Sequence, residues 1–304
     1  MQVSEYQPSA SLSKTCPVCM GENKRVIYNG RLINRHIFHM CSSCGFVCAV
    51  SVDGESMNYD EYGDYLVNGE RDIKKRINYI RKAHAKTFSF LKKENIKTIL
   101  DFGCGAGYFC KAGEEEGFEM FGVEISDKLI NYAKTEVGFK TIYKAVEEFN
   151  KDSFGVIFML DVIEHLKPEE ANKIIKDLIS HLNRNGYLIG NTPNFRSANI
   201  NLCKEKDPAV SPPSHLCYFT KKTIDKYFIS LGLKKEKLYT SGMSTNSFFR
   251  KEKYRKSIME MGIKNVSIKE MPFVFFIKVL FKLLGYIVQP LGMGYQIHFI
   301  YRKL

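Results

Sequence analysis

The sequence predicts an α/β protein built on a parallel sheet with helices on both faces, and three observations carry that prediction. Short apolar runs alternate with helix-periodic segments between residues 98 and 191. Residues 98–109, T-I-L-D-F-G-C-G-A-G-Y-F, read as a strand, a tight turn and a helix. The chain has 304 residues, 44% hydrophobic and 13% aromatic, which suffices for a sizeable core in one large domain with a small appendage, or in two modest domains.

Taken in order, strands are predicted at 98–102, 119–125, 139–144, 154–160 and 186–191, with helices at 108–117, 126–137 and 168–182. Ser126-Asp127 opens the second helix as an N-cap, and Gly113 is a weak point in the first. A helix at 221–233, a short strand at 238–240 and an alternating stretch at 295–302 complete the pattern. Upstream, apolar residues recur at helical spacing through 71–93 among lysines and arginines, an amphipathic helix with a solvated basic face.

The turn is the centre of the functional reading. Gly103, Gly105 and Gly107 alternate through it. Glycine is the residue that adopts positive φ and lets a ligand approach bare backbone at little steric cost. A ligand across 103–107 is therefore expected, at the carboxyl end of the sheet where such folds bind. Glu124 ends the second strand 17 residues beyond Gly107, placed to accept ribose hydroxyls from either a dinucleotide or S-adenosylmethionine (SAM). Asp101, directly before the first glycine, repels a pyrophosphate and suits the cationic amino end of SAM.

Cys16-Pro-Val-Cys19 and Cys41-Ser-Ser-Cys44 form two C-x-x-C knuckles joined by a spacer with strand-like alternation. Each pair can offer two thiolates to a tetrahedral ion, so a structural zinc in a ribbon is expected; redox dithiols and unmetallated cysteines are the alternatives. Four cysteines close the site, leaving His36, His39 and Cys48 as packing or surface residues. Tyr59, Tyr62 and Tyr65 follow in an acidic linker, where they pack or line a pocket. The expected division is a ribbon over 1–58, a linker and helix over 59–97, and a catalytic domain over 98–304 with a basic and apolar helical insert at about 248–289.

Charge is unevenly placed along a chain of net +12. Residues 98–200 carry 11 Lys/Arg against 16 Asp/Glu, whereas 201–304 carry 19 against 7. An acidic centre does not suit a protein that coats polyanions throughout. It leaves an anionic small molecule, a membrane surface or a nucleic acid as partners, or a lysine-rich background. Residues 1–12 lack a secretory apolar stretch, and paired rather than scattered cysteines suit a reducing compartment, so a cytoplasmic location is expected. Residues 271–288 are apolar apart from Lys278 and Lys282, which argues for a helix lying along the domain surface, a second copy or a bilayer interface rather than spanning one.

Together D-F-G-C-G-A-G, V-E-I-S and L-D-V-I-E-H-L closely resemble the class I SAM-dependent methyltransferases over residues 98 to about 195. The four-cysteine ribbon, the tyrosine linker, T-P-N at 192–194 and H-L-x-x-F-T at 215–220 resemble a zinc-ribbon subfamily that modifies sugars, surface polysaccharides and natural products. The resemblance implies a seven-stranded sheet of order 3-2-1-4-5-7-6 with an antiparallel last strand. It also implies that Gly103, Gly105 and Gly107 admit the methionyl part of SAM and Glu124 holds the ribose. Ile125, Ala145 and Val146 would flank the adenine, and Asp161 would stand near the methionine end.

His215, in a proline-stiffened loop, is the general base candidate, with His165 behind it. Similar sugar C-methyltransferases carry Tyr and Glu shortly before this histidine. Pro212 and Ser214 occupy those positions here, which favours an oxygen or nitrogen acceptor. Some quinone-pathway O-methyltransferases hold a divalent metal with an acid-x-x-Glu-His group. Here Glu164 and His165 equally serve the helix start and strand packing, so no catalytic magnesium is expected. The implied activity is methyl transfer to a small molecule, most simply a sugar or sugar-nucleotide. An RNA methyltransferase and a membrane-associated quinone or lipid O-methyltransferase are the alternatives. Against RNA stands Asn191-Thr-Pro-Asn194, in place of the N-P-P-aromatic motif of amino-group enzymes.

Overall fold

A computed structural model of the chain describes residues 15–22, 24–54, 57–61, 72–149, 153–244 and 271–304. The basic segment at 248–269, Tyr62, Tyr65 and the side chains of 271–279 lie outside that description. The described residues form two compact units. One draws on Met1–Glu55, Thr192–Lys226 and Leu238–His298, and the other on Ser56–Asn191, Tyr227–Lys237 and Phe299–Leu304.

The larger sheet has seven strands. They are β4 (Thr98–Phe102), β5 (Glu119–Val123), β6 (Ile142–Tyr143), β7 (Phe154–Leu160), β8 (Leu182–Pro193), β10 (Leu233–Ser241) and β11 (Gln296–Lys303). Their spatial order, β10-β11-β8-β7-β4-β5-β6, is the expected 3-2-1-4-5-7-6, with an antiparallel final strand. β4 pairs in parallel with β5, Asp101 opposite Gly122, and with β7, Asp101 opposite Phe158. Six of the seven residues of β7 are buried, as an inner parallel strand covered on both faces requires.

Helices α1 (Ile73–Ala83), α2 (Ala85–Lys93) and α3 (Tyr108–Glu115) bring Ile77, Phe88, Leu91, Phe109 and Cys110 onto β4 and β5. The helix expected over 71–93 breaks at His84, with no glycine or proline to cause it. The His84 ring instead packs edge-on against Phe109, centroids 4.9 Å apart, and its backbone serves as cap for both halves. Tertiary packing overrides local propensity there. Helix α4 (Asp127–Tyr132) does start on a Ser126 cap, whose side chain accepts from Leu129 N.

The strand expected over 139–144 shrinks to Ile142–Tyr143. Gly138 turns in the left-handed region, and the fully buried Phe139 ring is spent in the core beside Gly107 instead of in pairing. The strand expected over 238–240 runs from Leu233 to Ser241. Its Lys234-Lys235-Glu236-Lys237 stretch conceals the pattern, because an edge strand keeps charged residues in solvent. The remaining helices are α5 (Ala171–Ser180), α6 (Ala198–Cys203), α7 (Lys221–Ser230) and α8 (Met271–Val288).

The smaller sheet, of order β1-β2-β3-β9, holds β1 (Lys24–Val26), β2 (His36–Cys41), β3 (Val47–Ser51) and β9 (Cys217–Tyr218). The β1–β2 hairpin is the one expected of the cysteine spacer. β9 comes from the His215 loop and was not anticipated: Cys48 lies opposite Cys217, and Ala49 N donates to Leu216 O at 2.9 Å. Phe38, Val47, Ala49, Ile200, Ala209, Val210 and Tyr218 form the core of this unit, so the ribbon and residues 192–226 share one apolar interior.

Candidate functional site

The glycine turn is fastened at both ends before any side chain is considered. Gly103 N and Cys104 N both donate to Val123 O, at 2.8 and 2.9 Å, which folds the turn back over the end of β5. α3 then begins directly after Gly107. Gly103 has φ +76°, and a Cβ there would stand 2.5 Å from Val162 Cγ2, so a larger residue would displace the segment after β7. Gly105 has φ +55°, and nothing lies within 4 Å of where its Cβ would be. That bare stretch of backbone faces open space, the geometry a ligand crossing the turn needs.

Glu124 is buried, and its carboxylate bridges the turn and the next helix. Gly105 N donates to Oε2 and Ser126 N to Oε1, both at 2.9 Å. Burial raises its pKa, and the backbone N–H groups of Ser126, Gly105 and Ile125 draw it back toward the ionised form. A carboxylate has about four lone-pair sites, so capacity for a hydroxyl remains. Ile125 beside it is 55% exposed, whereas Val146 is buried and Ala145 half-buried.

The tyrosine-rich linker contributes two neighbours: Asp60, which no sequence pattern marks, and Tyr59, one of the tyrosines expected to pack or line a pocket. Asp60 Oδ1 accepts from Ser126 Oγ at 2.8 Å, and that hydroxyl lowers the carboxyl's pKa. The Tyr59 phenol is raised by burial and then by the charges of Glu124 and Glu170. An acid directly after an aromatic in a linker carries no periodic signal, so only the fold reveals the bond from Asp60 to Ser126.

Asp101 is placed differently from Glu124. Its side chain is 3% exposed and accepts the Cys110 thiol at 3.6 Å. Burial pushes it up to about 7, opposed by Cys110 and reinforced by the Glu124 charge. Asp161 follows β7 with φ +55°, and its Oδ1 accepts from Asn191 Nδ2 at 2.7 Å. Asn191, which ends the fifth predicted strand and begins Asn191-Thr-Pro-Asn194, donates the bond that aligns the Asp161 carboxylate. His165 ends the short 3₁₀ turn Ile163–His165.

In the other unit, His215 Nδ1 lies 2.8 Å from Ala209 O. A carbonyl only accepts, so Nδ1 carries the proton and Nε2 is left with its lone pair. The loop around it is held by Tyr218, whose hydroxyl donates to His215 O at 2.7 Å, and by Asn34, which donates to Pro212 O at 2.7 Å.

The four ribbon cysteines converge. Their sulfurs all lie within 4.8 Å of one another, with Cys16 to Cys44 at 3.7 Å and Cys19 to Cys41 at 3.5 Å. A tetrahedron with Zn–S bonds of about 2.3 Å has an edge of about 3.8 Å, so the donor set fits zinc. Phe46 N donates to Cys44 Sγ at 3.4 Å, a backbone bond of the kind that orients metal-binding thiolates. Cys16 is drawn down to about 5 by the Cys44 thiol, while the bond to Cys16 and then burial raise Cys44. His36 Nδ1 donates to Asn34 O at 2.6 Å and Cys48 is buried, so neither is needed as a ligand.

Residues 73–238, more than half of the chain, match the family described as "methyltransferase domain". Among characterised proteins the chain is similar to a phosphoethanolamine N-methyltransferase of Plasmodium falciparum, 29% identical over 35% of this chain and 43% of that one. It is also similar to a ubiquinone biosynthesis O-methyltransferase of Bradyrhizobium diazoefficiens, 27% identical over 39% of this chain and 50% of that one. The matches thus span about half the length of these relatives or less. A SAM-dependent methyltransferase from Archaeoglobus fulgidus shares the fold, with TM-score 0.50 and 19% identity over 81% of this chain and 100% of that one. The match over 73–238, on a sheet of this strand order, shows that the chain belongs to the class I SAM-dependent methyltransferase domain family.

Proposed function

We propose that this protein transfers a methyl group from SAM to an oxygen or nitrogen of a small-molecule acceptor. The observation that carries the reading is the Gly105–Glu124–Ser126 bridge. An open backbone turn is locked to a buried carboxylate whose remaining lone pairs can take the ribose hydroxyls. Gly103, Gly105 and Gly107 would admit the methionyl part. The exposed Ile125 would cover one face of the adenine and Ala145-Val146 the other, with Asp161, aligned by Asn191, toward the methionine end. Asp101, buried at the end of β4 with the Cys110 thiol on its Oδ2, would order the glycine turn and bind the amino group directly or through water.

When bound, SAM supplies an electrophilic methyl for in-line displacement, so most of the catalytic work is positioning. His215, with Nδ1–H committed to Ala209 O, presents Nε2 to take the acceptor's proton as the new bond forms. The names of the relatives describe enzymes acting at nitrogen and oxygen, which supports those acceptor atoms over carbon.

A sugar or sugar-nucleotide is the acceptor class we favour. That choice rests on the ribbon and the H-L-x-x-F-T segment of the sequence, and on their packing together through β3 and β9. A structural zinc held by Cys16, Cys19, Cys41 and Cys44 would fix that unit. Calorimetry with SAM tests the proposal. Binding is expected, and Glu124→Ala should weaken it by about tenfold or more, the loss of hydrogen bonds to a charged acceptor. No heat of SAM binding to the folded wild-type protein would overturn it.

A further inference from the structure

Helix α8 carries an unusual surface. Leu280, Leu283, Tyr286 and Ile287 are 40%, 57%, 64% and 63% exposed, and Leu291, just past the helix end, is 69% exposed. At 100° per residue, Leu280, Ile287 and Leu283 fall within about 60° of one another, with Tyr286 and then Lys282 along one edge. The opposite side is fixed to its own unit. The position of a Cβ on Gly285 would be 3.7 Å from Gly242 Cα, and Thr240 Oγ1 donates to Gln289 O at 3.3 Å. The packed side is therefore accounted for, and the apolar side faces outward. Isolated exposed leucines need no explanation, but a contiguous stripe on one helix does.

We infer that this face is a monotopic docking surface for a bilayer containing anionic lipid. Charge singles out that occupant. The charged residues of α8 are Lys278 and Lys282, with no aspartate or glutamate, and the exposed Lys282 borders the stripe one turn from Tyr286. A helix lying in the interface buries an apolar stripe among acyl chains while a tyrosine ring and a lysine sit at headgroup level. A spanning helix wants about 20 uninterrupted apolar residues, whereas α8 has 18 residues interrupted by Lys278 and Lys282. The inference concerns where the protein works and holds whichever acceptor it uses.

The test is co-sedimentation of the full chain with vesicles of phosphatidylcholine, with and without phosphatidylglycerol. Binding is expected to the anionic vesicles and to weaken in ~0.5 M salt. Leu283→Ser with Ile287→Ser should reduce it at least about tenfold, and Lys282→Glu should erode the preference for anionic lipid. Circular dichroism and thermal melts check that the variants stay folded. In case the double variant does not, hydrogen exchange of residues 280–291 in the wild-type chain should slow on adding anionic vesicles. Absence of vesicle binding by the wild-type chain would overturn the inference. So would binding that the double variant retains in full, unchanged exchange, or a dimer abolished by the same substitutions with no vesicle binding, which would assign the face to a second copy.

Discussion

The four ribbon cysteines all lie between Cys16 and Cys44, in two knuckles whose sulfurs come within 4.8 Å of one another across the short β1–β2 hairpin. The glycine turn is assembled differently. Its shape depends on Val123 O, Glu124 and Val162, which reach it because β5 and β7 flank β4 in fixed register. A cluster of mutually close thiols is a site that a metal would complete, whereas the turn holds its form through backbone bonds already made. The ribbon should therefore depend on an ion for its folding, and the turn on the sheet.

Removing metal is the largest expected effect. Chelation, or Cys44→Ser, should release about one zinc and unfold the ribbon, since structural zinc contributes on the order of 10 kcal/mol in small sites. Because β9 and the Ile200, Ala209 and Val210 cluster share its core, hydrogen exchange should rise across 195–220 as well. Exchange confined to 15–54 would show that the downstream segment holds its shape without the metal.

His215→Gln should lower kcat by about 10²–10⁴-fold and remove the acid limb of the pH–rate profile, read with any accepted substrate. A rise in KM with kcat unchanged would instead make His215 a binding residue.

Asp101 should make stability depend on pH. Its carboxyl ionises near 4 when unfolded and at about 7 when folded. Between those values only the folded state holds the proton, so its contribution is complete below about pH 4 and is lost as pH rises through 7, by about 1.4 kcal/mol per unit at most. Urea midpoints should fall from pH 5 to pH 8, and Asp101→Asn should flatten that slope.

The smallest effect is expected at Gly105→Ala. The φ of +55° costs a side chain about 1 kcal/mol, with no clash, so the melt should move little while SAM affinity drops. Gly103→Ala, which meets Val162, should lower the melt markedly more.

Much of this protein was written locally. The turn's glycines, the apolar β7, the Ser126 cap and the paired cysteines are short-range patterns, and each element formed where its pattern lay. Charged β10 and the truncated β6 were harder to read, because an edge position and a buried phenylalanine are properties of neighbours rather than of sequence. The break at His84 belongs with them.

The sequence by itself determined the α/β class, the strand order through its family resemblance, the glycine–acid pattern and the cysteine donor set. Only the tertiary structure decided that Asp60 reaches Ser126, that Asn191 aligns Asp161, and that a two-residue strand beside His215 completes the ribbon sheet. Those contacts join residues 30 to about 170 positions apart, and a hydrogen bond across such a span leaves no periodic trace in the chain that makes it.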